Sequence, residues 1–147
     1  MTNPRHLGRQ VVYCGHLARL CLEERMRQFG VTPVQAYAMR FLAREEGREI
    51  TQRDLERELR LKAPTVNGVV DRLTEKGLLV RRQSPTDGRC RLLQLTDTGR
   101  EAAAAFLSAM EDTEALFRSA LTDEEQRLFQ ELLLRIITNL ESEVHHT

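Results

Sequence analysis

TQRDLERELRLKAPTVNGVVDRLTEKGLLVRRQSPTDGRCRLLQLT, residues Thr51 to Thr96, decides how the rest of the chain is read. Within it Val66, Val69, Val70 and Leu73 recur at i, i+3, i+4 and i+7, one apolar stripe on a helix predicted over Ala63 to Glu75. The opposite side carries Pro64, Thr65, Asn67, Gly68, Asp71 and Arg72, all small or polar. Lys76-Gly77 ends the helix, because glycine accepts the left-handed geometry of a C-terminal cap and a lysine suits the negative end of the helix dipole. Upstream, Gln52 to Leu59 places Leu55 and Leu59 one turn apart on a short preceding helix. Downstream, Leu78 to Arg82 and Arg91 to Leu95 alternate partly as strands do. Between them Ser84-Pro85-Thr86-Asp87-Gly88-Arg89 is turn chemistry. Helix, turn, helix, then a two-stranded arm with a basic tip is the order of a winged helix-turn-helix.

That order points to duplex DNA. A helix face of small and polar groups lets the backbone approach base edges in the major groove and donate hydrogen bonds there. Arg89 at the hairpin tip, flanked by Arg81, Arg82 and Arg91, is placed to reach phosphates or the minor groove. Arginines on a surface hairpin are often merely solvated, so the charge distribution has to weigh in. From Arg60 to Arg91 eight Lys or Arg face three acids, whereas from Thr96 onward four Arg face eleven acids. The neutral total therefore conceals a basic middle and an acidic end, and only the middle should attract DNA.

These residues, taken in order, resemble the MarR (multiple antibiotic resistance regulator) family of bacterial transcription factors. The resemblance runs through Val31-Thr32-Pro33-Val34-Gln35, Thr65-Val66, Val69-Val70-Asp71-Arg72-Leu73, Lys76-Gly77-Leu78-Leu79 and Arg81-Arg82. It continues in Asp87-Gly88-Arg89 and Leu95-Thr96-Asp97-Thr98-Gly99. It implies that Thr65, Asn67, Gly68 and Arg72 read or line the major groove and that Arg89 enters the adjacent minor groove. Pro64 on the same helix face, and Arg82 and Arg91 beside Arg89 on the wing, are further candidate DNA contacts by their placement. Asp87 would fix the wing arginine through a charge-assisted hydrogen bond. One departure is Gln52-Arg53-Asp54-Leu55-Glu56-Arg57-Glu58-Leu59, more charged than the family's Leu-Ala pattern.

The flanks hold long helical patterns that a winged helix by itself does not need. Leu7 to Phe29 lines up Leu7, Val11, Cys14, Ala18, Cys21 and Leu22, with Leu17 and Met26 at the edges. Thr32 opens a helix by a capping box with Gln35, Pro33 being tolerated at the first position, and its apolar face is read as Tyr37, Phe41 and Leu42 beside Ala38 and Met39. Asp97 to about Ala120 is alanine-rich, with Ala103, Phe106, Leu107, Met110, Leu116 and Phe117. Thr122 opens a last helix whose stripe is Leu128, Leu132, Leu133, Ile136, Ile137 and Leu140. The expected architecture is mainly α with a small β-wing: one protomer over 1–147, a winged DNA-binding region over 32–96, and dimerisation helices over 5–30 and 97–145. Two copies exchanging their terminal helices would cover the apolar faces and set two recognition helices about 34 Å apart, one DNA turn, on a palindromic site.

Other functions find little support. At 147 residues the chain can bury one core and is short for two. No charged leader with a cleavage site opens it, and no apolar run nears the ~20 residues that cross a bilayer, so a cytoplasmic protein without membrane contact is expected. His6, His145 and His146 lie near the ends, and only His16 sits inside a strong helix. There is no His-x-x-x-His, no Cys-x-x-Cys and no glycine-rich phosphate loop, so neither metal, cofactor nor catalysis is expected. Cys14, Cys21 and Cys90 are read as buried, reduced thiols, with oxidant sensing as the alternative. The family resemblance further implies a small-molecule effector, with anionic aromatic compounds as the expected class, for which His16, Arg19, Tyr37 and Arg40 are the candidate contacts. A protein-interaction module without specific DNA binding is the remaining alternative, against which the basic wing argues.

Overall fold

The computed structural model describes residues 6–144. His145, His146 and the outermost positions of the two expected dimerisation segments, 5 and 145, lie outside the described residues. The order of elements is α1 (Leu7–Met26), a 3-10 turn (Arg27–Phe29), α2 (Pro33–Arg44), α3 (Gln52–Leu59), α4 (Ala63–Glu75), β1 (Leu79–Gln83), β2 (Arg91–Leu95), α5 (Asp97–Ser119) and α6 (Asp123–Val144). The chain divides into two compact units, one ending at Met110 and one beginning at Glu111, and α5 runs through the division.

In the first unit each element contributes to a single apolar core: Met26 from α1, Ala38, Met39 and Leu42 from α2, Leu55 from α3, Val66, Val70 and Leu73 from α4, Leu79 and Leu95 from the strands, and Phe106 from α5. Burial of these side chains is the main source of cohesion, at roughly 1.5–3 kcal/mol for each large aliphatic group relative to exposure. The structure corrects the expected faces of two helices. Met26, expected at an edge, is the one buried residue of α1, while Leu7, Val11 and Leu17 are exposed. On α2 Phe41 and Leu42 are buried as expected, together with Ala38 and Met39, but Tyr37 is 40% exposed, its ring meeting Phe106 edge-on at 5.0 Å.

Side-chain capping boxes open α2 and α3, whereas α1 and α4 begin without a side-chain cap. Thr32 and Gln35 form the expected capping box, Thr32 Oγ1 accepting from the Gln35 amide and Gln35 Oε1 accepting from the Thr32 amide. A second box, not foreseen, opens α3: Thr51 Oγ1 accepts from the Asp54 amide at 3.3 Å, and Asp54 Oδ2 accepts from the Thr51 amide at 2.9 Å. At the end of α4, Gly77 takes φ +71°, its amide donating to the Thr74 carbonyl and the Leu78 amide to that of Leu73. This double cap satisfies two carbonyls that the helix would leave without partners. It also shifts the first strand by one residue from the expected Leu78–Arg82, because the Leu78 amide is spent on the cap while Gln83 pairs with Arg91.

The wing is antiparallel, with Leu79 opposite Leu95, Arg81 opposite Leu93 and Gln83 opposite Arg91. A bridge from Thr51 to Leu92, with the Leu93 amide donating to the Ile50 carbonyl at 2.8 Å, adds a third, very short edge. Ile50 is buried, so this edge also packs the base of the wing into the core.

In the second unit α6 is opened by Thr122 and Glu125, which exchange side-chain and backbone hydrogen bonds at 2.8 and 3.3 Å. None of the expected stripe on α6 is buried: Leu128, Leu132, Ile136, Ile137 and Leu140 are exposed and Leu133 is only partly covered. No helix of the described residues is long and apolar enough to cross a membrane.

Candidate nucleic-acid interface

α4 separates its faces cleanly. Val66, Val69, Val70 and Leu73 are buried, and Pro64, Thr65, Asn67, Gly68 and Arg72 are exposed on the other side. Gly68 is informative because a Cβ there would meet nothing within 4 Å. Packing inside the protomer therefore does not require glycine, although glycine in mid-helix costs roughly 0.5–1 kcal/mol relative to alanine. The short turn into α4 contains Arg60 in the left-handed region at φ +53°, with the Leu61 amide closing back onto the Glu56 carbonyl at 3.2 Å.

The wing tip is tied internally. Ser84 is buried, its hydroxyl accepting from the amides of Thr86 and Asp87 at 3.3 and 3.2 Å. The Ser84 amide donates to the Cys90 carbonyl, and the Cys90 amide to that of Asp87. Asp87 Oδ1 accepts from the backbone amide of Arg89 at 3.1 Å. This charge-assisted bond fixes the chain at Arg89, as expected of Asp87, and it does so through the backbone amide. Arg82, Arg89 and Arg91 are all exposed. Strand register sorts them: Arg91 pairs with Gln83, on the side of the ribbon that bears Arg81, Leu79 and Leu95, and Arg82 pairs with Leu92 on the opposite side. There Arg82 borders a hollow shared with Glu45, Glu46 and Glu49.

Arg81 turns back to the recognition helix. Its Nη2 donates to Asp71 Oδ1 on α4 at 2.6 Å, and Asp71 Oδ2 accepts from Asn67 Nδ2 at 3.4 Å. The i, i+4 spacing of Asn67 and Asp71 was visible in the sequence, but the strand partner was not. Lys76, at the other end of α4, reaches the Gly30 carbonyl and Gln35 Oε1, joining the cap of α4 to the start of α2.

The four candidate effector contacts divide into two pairs. Tyr37 and Arg40 line one groove of about 350 Å³ between α2 and α3, together with Phe41, Arg44 and Leu59. His16 and Arg19 instead adjoin each other on α1 at 3.3 Å, Arg19 also pairing with Glu23, and neither lines that groove. The cysteine reading needs correction: Cys14 is exposed, and Cys21 and Cys90 are half-covered. All three are free thiols. Among the described residues no group of three or more His, Cys, Asp or Glu is placed to hold a metal ion.

Residues 29–89, from the end of the 3-10 turn to the wing arginine, match the MarR family model. The winged segment belongs to the MarR family. An uncharacterised HTH-type transcriptional regulator of Bacillus subtilis, YdgJ, is 33% identical over 95 residues, which are 63% of this chain and 56% of YdgJ. The transcriptional repressor MprA of Escherichia coli is 25% identical over 131 residues, 87% of this chain and 74% of MprA. The MarR-type fold extends beyond the matched segment. MepR of Staphylococcus aureus, in a crystal structure with DNA, superposes with a TM-score of 0.80 at 24% identity, covering 95% of this chain and 99% of that one. The chain thus spans just over half the length of YdgJ and nearly all of the MepR chain.

Proposed function

We propose that this protein is a sequence-specific DNA-binding transcriptional regulator, not an enzyme, working as a cytoplasmic homodimer on a palindromic operator. The observation that carries the reading is α4: a fully buried apolar stripe backs an exposed face of Pro64, Thr65, Asn67, Gly68 and Arg72, beside a wing whose tip presents Arg89. The regulators named among its relatives and the DNA complex of MepR support it. Pairing of two protomers accounts for the apolar residues that α1 and α6 leave exposed. Repression relieved by a small molecule is the mode we favour. The groove of Tyr37 and Arg40 offers an aromatic edge and a cation, with Arg44 there paired to Glu58 at 3.1 Å, and the Tyr37–Arg40 side suits an anionic aromatic effector. Such coupling is reciprocal: an effector that lowers DNA affinity must itself bind less well to the DNA complex.

The test is binding of the purified protein to DNA from immediately upstream of its own coding region, titrated with salt and unlabelled competitor. Competitor-resistant binding with a footprint of twofold symmetry is the expected result. Weak binding that is equal on every sequence, there and after selection from a random duplex pool, would instead favour a protein-interaction module.

A further inference from the structure

Asn67, on the exposed face of α4, has a hydrogen-bonding edge that is already partly committed. A carboxamide has two N–H donors on Nδ2 and two lone pairs on Oδ1. One of the donors goes to Asp71 Oδ2, one helical turn further along. The carboxylate is itself held, because its other oxygen accepts from Arg81 Nη2 at 2.6 Å. Arg81 is fixed in turn by the sheet: it lies opposite Leu93, on the ribbon side shared with Leu79 and Leu95, and its side chain is only 25% exposed. The relay therefore runs from the anchored wing strand, through Asp71, to the amide of Asn67.

We propose that Asp71 and Arg81 are positioning residues that set Asn67 to read adenine. With one N–H engaged, Asn67 keeps one donor and one acceptor side by side. Adenine presents in the major groove an acceptor at N7 beside a donor at N6, the complement of that edge. Guanine presents two acceptors, N7 and O6, and the second would face the Asn67 carbonyl. Arg81 also neutralises a carboxylate that would otherwise lie against the phosphates on the DNA-facing helix. It thus contributes to sequence preference without touching DNA. This inference rests on the regulator reading above.

The experiment is selection of preferred sites from a random duplex pool, run in parallel with the full-length wild type and the variants Asn67→Ala, Asp71→Ala and Arg81→Met, each checked for folding by circular dichroism. The wild type should show, once per half-site, an adenine whose replacement costs roughly ten- to a hundredfold in affinity. Asn67→Ala identifies that position by losing it. Asp71→Ala and Arg81→Met should reduce the preference to within a few-fold at the same position, with the preferences elsewhere kept. If one of the two does not fold, the other decides. A base other than adenine there, an unchanged adenine preference in the folded relay variants, or a uniform loss at all positions overturns the proposal. A wild type without any sequence preference overturns the regulator reading and the relay with it.

Discussion

Gly99 and Leu78 touch through their backbones: a Cβ placed on Gly99 would sit 2.0 Å from the Leu78 carbonyl oxygen and 3.2 Å from Leu95 Cδ2. The contact joins the first turn of α5 to the cap of α4, and it leaves no room for a side chain. Thr96 reinforces it, its hydroxyl donating to the Gly77 carbonyl at 2.7 Å and its amide to the Leu78 carbonyl at 3.1 Å. Gly99→Ala should therefore destabilise the fold by roughly 1–3 kcal/mol, since backbone must move to admit the methyl group. Urea denaturation monitored by circular dichroism measures this, and an unchanged midpoint would contradict the contact.

Gly68 is expected to behave in the opposite way. Alanine meets no neighbour there and adds helix propensity, so Gly68→Ala should raise stability by about 0.5–1 kcal/mol. If α4 lies in the groove as proposed, the same methyl group should lower operator affinity. Gains in both properties would remove Gly68 from the interface.

The box that opens α3 makes a pH-dependent contribution. The Thr51 amide, followed by the Thr51 hydroxyl and Arg57, holds the Asp54 carboxyl below the ordinary aspartate range, against partial desolvation. A depressed folded pKa means stabilisation that is complete above the unfolded aspartate pKa and is lost as the pH falls through the folded one. Thr51→Ala should cost about 1 kcal/mol near neutrality. Asp54→Asn should flatten the acid limb of the stability profile, and a profile identical to the wild type would exclude this role.

On DNA the two exposed arginines should differ in kind. Arg72→Ala should weaken specific binding by about 1–3 kcal/mol if it contacts a base, with little change on random sequence. Arg89→Ala should weaken all sequences alike and reduce the salt slope by about one. Fluorescence anisotropy from low to moderate salt separates the two patterns, and unchanged affinity in both variants would defeat the site assignment.

Pairing through the terminal helices predicts a further result. Leu132 and Ile136 are 42% and 44% exposed on one face of α6. Replacing both with Glu should shift sedimentation from dimer to monomer and reduce operator affinity steeply, because a lone protomer engages one half-site. A wild type that sediments as a monomer at micromolar concentration would contradict the proposal directly.

Much of this architecture was legible in the sequence where a local rule decides it. The Val66-Val69-Val70-Leu73 stripe fixes both the limits and the buried face of α4, and the boxes at Thr32 and Thr122 need only a hydroxyl and a Gln or Glu three residues on. The box at Thr51 is harder to see because Asp54, shorter than the usual Glu or Gln, fills the third position. Other features depend on what packs against what. Met26 is buried and Tyr37 is exposed beside the groove between α2 and α3, placements that depend on neighbouring elements and that periodicity along one helix does not reveal. The Ile50–Leu93 edge is too short to alternate. For the site, the small and polar face of α4 was legible, whereas the Arg81–Asp71 bond and the separation of His16 and Arg19 from Tyr37 and Arg40 arise between elements distant in sequence.

The buried hydroxyl of Ser84 changes the thermodynamics of the wing. A hairpin tip that must become ordered when it meets DNA gives up roughly 1–2 kcal/mol of backbone entropy per residue, which can cancel what its arginine gains. Here Ser84 holds the amides of Thr86 and Asp87, Asp87 holds that of Arg89, and Gln83 Nε2 donates to the Gly88 carbonyl at 2.7 Å, so the tip is restrained before any partner arrives. Little of that ordering cost remains at the moment of encounter. Removing the Ser84 hydroxyl would thus weaken association while leaving every charge of the wing in place.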